Sequence, residues 1–141
     1  MKQEIIKVMI KEHEVIESLL NDFEKQYNAN PRAAKKIFQA FVWNLEKHMF
    51  LEEKFMYTVH SVWNLPKEEI FGILSDHGDI ISLVKKIQSS RFESSDIYEL
   101  REMIRDHFVL EETVLYPNLE RALNNEQKEV FLERAQEIIL G

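Results

Sequence analysis

Four stretches of the chain place their inward positions at alternating steps of three and four, the spacing of one face of an α-helix. The first runs through Ile6, Met9, His13, Ile16, Leu20, Phe23 and Tyr27. The second runs through Ala34, Phe38, Phe41, Leu45, His48, Glu52, Phe55, Val59 and Val62. The third takes Ile70, Ile73, His77, Ile80 or Ile81, Val84 and Ile87, and the fourth Ile97, Leu100, Ile104, His107, Glu111 and Val114. Stripes of this kind are the seams of packed helices. They predict an all-α fold, an antiparallel up-down-up-down four-helix bundle.

The breaks between the stripes are chemically legible. Asn30 suits the N-cap of the second helix, with Pro31 at its first position. Pro66 opens the third helix, followed by Lys67, Glu68 and Glu69. Asp96 and Glu99 have the spacing of a capping box for the fourth, and Pro117 ends or kinks it. Asn124 and Gln127 suit the start of a short C-terminal helix over roughly 126–140. The connections are short and no linker or low-complexity segment interrupts them, so residues 1–141 read as a single domain.

Six residues break the apolar character of the seams: His13, His48, Glu52, His77, His107 and Glu111. A buried, unpaired carboxylate costs several kcal/mol or takes up a proton. A lone seam histidine is usually a core residue satisfied by one hydrogen bond. A lone His–Glu pair four residues apart is usually a surface pair worth a few tenths of a kcal/mol. Neither reading suits six such residues together. A pair of divalent or trivalent cations does, because a Glu can bridge two metals while each His gives one nitrogen to one of them.

The pattern is also duplicated. Residues 48–57, HMFLEEKFMY, match 107–116, HFVLEETVLY, as His-x-x-Leu-Glu-Glu-x-x-(Met/Leu)-Tyr. Upstream, 13–20, HEVIESLL, matches 77–84, HGDIISLV. One half of the chain thus repeats the other at about 60 residues.

Composition narrows the function classes. The 141 residues are 45% apolar and 30% charged, which is enough for one soluble core. Only three Gly and three Pro favour long helices. A net charge of −7 argues against a partner that is nucleic acid or an anionic membrane surface. No apolar run spans a bilayer, and the charged MKQEIIKVMIKEHE start lacks a signal-peptide core, so a cytoplasmic location is expected. The absence of cysteine excludes thiolate ligands and an iron–sulfur cluster on this chain.

The order His … His-x-x-x-Glu … His … His-x-x-x-Glu, with Glu-Glu-x-x-Leu-Tyr-Pro at 111–117, resembles the hemerythrin-like family, the HHE cation-binding domain. The resemblance covers nearly the whole chain. It implies a four-helix bundle around a non-heme centre of two iron ions, oxo- or hydroxo-bridged. Carried over, Glu52 and Glu111 bridge the irons, His13 and His48 bind one, and His77 and His107 bind the other. The sequence departs from the oxygen-carrying hemerythrins at one ligand: they have a further His one turn after the third-helix His, where this chain has Ile81. They also use a carboxylate five residues after the last His. Here Glu111 lies at four and Glu112 at five, about 40° and about 140° round the helix, so Glu111 shares the inward face.

The expected function is therefore binding or sensing of O2, or handling of NO, peroxide or iron, with a small diatomic molecule as ligand. The alternatives are a diiron oxidase or peroxidase and an iron–sulfur cluster repair or iron homeostasis protein. The Glu-x-x-His of ferritin-like enzymes is missing, and the Cys-bearing domain of known repair proteins has no counterpart here. Other polar and aromatic residues are expected to do less. Glu12, Glu14, Glu53 and Glu112 read as solvated or as acceptors for a ligand's second N–H. His60 reads as a helix-end residue. Tyr57 and Tyr116, nine residues after each His and about 180° round the helix, read as packing residues, as do Trp43 and Trp63. Gly72 and Gly78 suit either close helix packing or a path to the metals.

Overall fold

The computed structural model describes residues 4–56, 67–89 and 91–140. Among them every element is helical: α1 (Glu4–Gln26), α2 (Pro31–Leu51), a first π-helical segment (Glu52–Met56), α3 (Lys67–Gln88), α4 (Ser94–Leu110), a second π-helical segment (Glu111–Leu115), α5 (Tyr116–Ala122) and α6 (Asn125–Leu140). The expectations at Tyr57, Val59, His60, Val62, Trp63 and Pro66 lie outside the described residues, as do the side chains of Phe55 and Ile70.

The helix starts are set by local hydrogen bonding. The Asn30 side chain accepts the Ala33 N–H at 3.2 Å, and Pro31, which has no N–H to satisfy, takes the first turn of α2. At α6 the capping is reciprocal: Asn124 Oδ1 accepts from Gln127 N at 2.8 Å and Gln127 Oε1 from Asn124 N at 2.9 Å. The fourth long helix begins earlier than its sequence suggests. Glu93 is its N-cap, and Asp96, three residues on, reaches back to accept the Glu93 N–H at 2.8 Å. Asp96 thus closes a capping box rather than opening one with Glu99. Its other oxygen accepts from Lys86 Nζ at 3.0 Å.

The seams converge on two apolar layers. One contains Ile16, Leu20 and Phe23 with Phe38, Phe41 and Leu45, and Ile80, Val84 and Ile87 with Ile97, Leu100 and Ile104. The other contains Ile5, Met9, Leu51, Ile73, Leu115, Tyr116 and Leu119, with Phe131 and Ala135 of α6. Ile5 rather than Ile6 leads the α1 seam, and Ile80 rather than Ile81 continues that of α3. Each helix passes from one layer to the other through a polar position. His13 lies between Met9 and Ile16, His48 between Leu45 and Leu51, and His77 between Ile73 and Ile80. The polar layer is therefore closed by apolar packing above and below.

The seam of α4 changes phase as it crosses that layer. A continuous α-helix would bring Val114 inward, yet Val114 is half-buried while Leu115 and Tyr116 are fully buried. The second π-helical segment is the cause. Its i→i+5 bonding, seen in the Tyr116 N–H to Glu111 carbonyl bond, holds one more residue per turn and so rotates the residues beyond it about the helix axis. Pro117 then sits in the first turn of α5, where its missing N–H costs nothing.

Two other expectations are corrected. Trp43 is not packed in the core: it is 56% exposed, with Lys47 Nζ 5.5 Å from its ring centroid. Nor do Gly72 and Gly78 mark close packing, because a Cβ at either meets no described atom within 4 Å.

The two helix caps can be tested by stability measurements. Asn30→Ala removes the α2 cap and is expected to lower unfolding free energy by about 1 kcal/mol in denaturant titrations, with the same dependence on denaturant. At the α4 cap the test is acid. Hydrogen bonds from the Glu93 backbone and the Lys86 ammonium lower the Asp96 pKa. The stability this carboxylate contributes is full above the ordinary carboxylate pKa and is lost as pH falls through its lowered value. Asp96→Asn should therefore cost stability at neutral pH and little in strong acid, read from melting temperatures across that range.

Candidate metal centre

Each of the six polar seam residues reaches the closed layer from its own place in the fold. His13 comes from α1, His48 from α2, His77 from α3 and His107 from α4, while Glu52 and Glu111 open the two π-helical segments. All six are at most 5% exposed. Among the described residues Asp96 is the one other buried ionisable residue besides Tyr116, and it belongs to the α4 cap.

The donor atoms fall into two groups that share Glu111. One comprises Glu52, His77, His107 and Glu111, the other His13, His48 and Glu111. Within each group the donor atoms lie within 4.8 Å of one another. Glu111 Oε1 is 3.0 Å from His13 Nε2 and 3.4 Å from His48 Nε2, while Oε2 is 3.1 Å from His107 Nε2 and 3.8 Å from His77 Nε2. Glu52 Oε1 faces His77 Nε2 at 3.2 Å and His48 Nε2 at 3.5 Å.

The outer nitrogen of every ring is tied to a carboxylate. His13 Nδ1 is 2.6 Å from Glu112, His48 Nδ1 is 3.1 Å from Glu12, His77 Nδ1 is 3.3 Å from Glu53 and His107 Nδ1 is 3.0 Å from Asp76. A ring that donates from Nδ1 directs the Nε2 lone pair inward, the form a cation requires. Phe108 stacks flat on His13, with centroids 3.6 Å apart and planes 2° from parallel, which fixes the ring orientation.

These carboxylates respect the duplication. The acid before the first histidine of each half (Glu12 before His13, Asp76 before His77) serves the histidine of the next helix in its own half. The second Glu of each Leu-Glu-Glu (Glu53, Glu112) serves the histidine of the other half. Sequence reasoning admits Glu12, Glu53 and Glu112 to this role but misses Asp76. The available signal is the acid–His dipeptide at 12–13 and again at 76–77.

Tyr116 is the main correction. Nine α-helical residues would turn it away from His107, but the π-helical segment turns it in. Its hydroxyl lies 2.9 Å from His13 Nε2, 3.3 Å from His48 Nε2, 2.9 Å from Glu52 Oε2 and 2.9 Å from Glu111 Oε1. No spacing rule for an unbroken helix could have found it.

The electrostatics show how strongly the layer demands positive charge. Burial opposes the charged form of His48, yet the Glu52 charge and hydrogen bonds to Glu111 and Glu12 outweigh it and raise the pKa well above the usual imidazole value. Burial is likewise outweighed at His77, which hydrogen bonds to Glu111 and Glu52 push up to about 10. His107 is raised too, its burial overcome by the charge and hydrogen bond of Glu111. Burial and the neighbouring Glu111 raise Glu52. Glu111 goes the other way: despite burial, hydrogen bonds from Glu52, His107 and His13 and the His107 charge hold it well below the carboxylate range. Tyr116 is raised well above the phenol range by burial and by the charges of Glu111 and Glu52.

The donor set fits a cation. Carboxylate oxygens and imidazole nitrogens face one another at short range across the layer, Glu52 Oε1 at 3.2 Å from His77 Nε2 and Glu111 Oε2 at 3.1 Å from His107 Nε2. Nitrogen and carboxylate oxygen together suit first-row transition metals.

The model of the hemerythrin HHE cation-binding domain matches residues 4–119. No curated protein and no solved structure gives a significant match. The match reaches from the start of α1 into α5 and takes in all six inward residues and all four outer carboxylates. The chain belongs to the hemerythrin HHE cation-binding domain family.

Proposed function

We propose that the polar layer holds two iron ions, with His13 and His48 on one, His77 and His107 on the other, and Glu52 and Glu111 bridging them. The observation that carries this reading is the pair of donor groups sharing Glu111, each imidazole braced from outside by a carboxylate. Charge supports it as well. With neutral imidazoles, the fully buried Glu52 and Glu111 place two negative charges inside the layer, with the outer carboxylates adding four more at its edge, and leaving the buried pair unbalanced would be prohibitive.

In this reading the four long helices run up-down-up-down and antiparallel. The pairings support it: Phe23 meets Phe38 while His13 meets His48, and Lys86 meets Asp96 while His77 meets His107. Arg101 to Glu24 and Glu112 to His13 relate α4 and the segment after it to α1 in the same way.

Two adjacent irons supply reversible redox chemistry and coordination positions for a small molecule. The protein's own contribution is to hold the imidazoles in one tautomer, exclude bulk water with the two apolar layers, and place Glu111 across both sites. The function this supports best is binding or sensing of O2, or handling of NO, peroxide or iron. The missing third-helix histidine, replaced by Ile81 on a half-buried face, leaves the His77 and His107 side without the extra ligand of the oxygen carriers.

Metal analysis of freshly purified protein is the direct test. The expected result is two irons per chain, loss of most of both in Glu111→Ala, and a lower melting temperature after chelation. Well under one metal per chain, with stability unchanged by chelation, would refute the site. If the centre binds O2 reversibly, the reduced protein should change its visible spectrum in air and recover under inert gas. Irreversible oxidation alone would remove the carrier reading.

Two further outcomes are expected. Asp76→Ala loses the acceptor that orients His107 and should weaken metal binding about 10–100-fold in chelator competition, without unfolding the protein. Acidification should weaken metal uptake too, because imidazoles whose pKa values are raised, His77 to about 10, hold protons that the metal must displace. Calorimetry in buffers of different ionisation enthalpy should count those protons.

A further inference from the structure

The two donor groups are unequal, and Tyr116 corrects the inequality. Glu52, His77, His107 and Glu111 make one group of four, whereas His13, His48 and Glu111 make a group of three. The Tyr116 oxygen stands within 3.3 Å of a donor atom from each member of the smaller group. Among themselves those donors are separated by 3.2 Å (His13 to His48), 3.0 Å (His13 to Glu111) and 3.4 Å (His48 to Glu111). Four atoms so spaced enclose a centre about 1.9 Å from each, close to the ~2.0–2.2 Å of metal bonds to nitrogen and oxygen. The geometry points to Tyr116 as a ligand, through its phenol oxygen, of the metal held by His13, His48 and Glu111.

Hydrogen bonding alone accounts poorly for this position. A phenol has one proton to donate. Around this hydroxyl stand two carboxylate oxygens, Glu52 Oε2 and Glu111 Oε1, and the Nε2 atoms of two imidazoles whose Nδ1 atoms are already engaged by Glu112 and Glu12. One hydroxyl proton cannot serve both carboxylate oxygens at once, whereas a cation shared by the oxygens and nitrogens serves all of them. The side chain is also held in place. Tyr116 is fully buried in the apolar layer with Ile5, Met9 and Leu119, and the π-helical segment fixes its backbone five residues after Glu111.

Ligation breaks the phenol O–H bond and forms an oxygen–metal bond. The proton leaves with those that metal uptake displaces from the cluster, and no electron moves. The inference rests on the two-iron reading, and the test separates the two. Iron-loaded, oxidised wild-type protein is compared with Tyr116→Phe by iron analysis, visible absorption and resonance Raman spectroscopy. The expected result is a phenolate-to-iron charge-transfer band and enhanced tyrosinate ring modes in the wild type, both lost in Tyr116→Phe while iron per chain is kept. Two irons per chain without tyrosinate modes overturns the ligation and leaves the two-iron reading standing. Modes that persist in Tyr116→Phe also overturn it. Failure of both proteins to take up iron overturns the ligation together with the reading beneath it. The wild-type Raman result is decisive by itself if Tyr116→Phe folds poorly: absence of the modes from an iron-loaded chain refutes the proposal.

Discussion

Two carboxylates and four imidazoles share one water-excluding layer, and the rest of the structure is arranged around what that burial requires. Glu52 and Glu111 are fully buried between two apolar layers. Buried charge of one sign must be met by charge of the other or be neutralised by protons. The direction of every resolved shift in the layer expresses this. Imidazoles are held charged against the effect of their own burial, and one carboxyl is driven up while its neighbour is held down. A helical core of this size does not need such residues to fold. Leu, Ile or Phe at the same seam positions would pack without any compensation, so the polar layer carries a cost in stability that its charged imidazoles and shared protons must offset.

The outer carboxylates turn this cost into specificity. A core histidine without a fixed partner can take either tautomer. Here Glu112, Glu12, Glu53 and Asp76 fix all four rings from behind. Their crosswise pattern also makes the two halves of the chain interdependent, since Glu53 supports a histidine of the second half and Glu112 one of the first. The inner set is therefore assembled only when both halves are in register, and its formation is coupled to folding of the whole helical unit.

Much of this is legible in the sequence because helical periodicity is a strong signal over long segments. The stripe through Met9, His13, Ile16 and Leu20 and its three counterparts predict which faces turn inward, and the structure buries all six polar interruptions of those stripes. What periodicity misses is set by departures from it. An unbroken helix turns Val114 inward and Tyr116 outward. Both reverse because the Leu-Glu-Glu-Thr-Val-Leu run leaves the α-helical register at Glu111, and the 3.6-residue repeat carries no warning of that change. Asp76 escapes for a different reason. It is half-exposed and lies off the seam, so a search for buried polar residues passes over it even though it orients a buried one. Trp43, read as a packing residue, packs at the surface, 56% exposed with Lys47 over its ring, because it lies beside the seam and not on it.

Duplication of sequence does not make the two sides of the layer equivalent. The outer carboxylates beside His13 and His48 are 32% and 12% exposed, whereas those beside His77 and His107 are 56% and 39% exposed. The first pair lies deeper, under the flat face of Phe108 and against the Tyr116 hydroxyl. A charge near His77 and His107 is thus better screened by water, while one near His13 and His48 must be balanced by protein atoms at short range, where each interaction counts for more. A further polar oxygen, the Tyr116 hydroxyl, stands on the deeper side. The change of helical register after Glu111 is what delivers one there, from a residue that an unbroken helix would have pointed the other way.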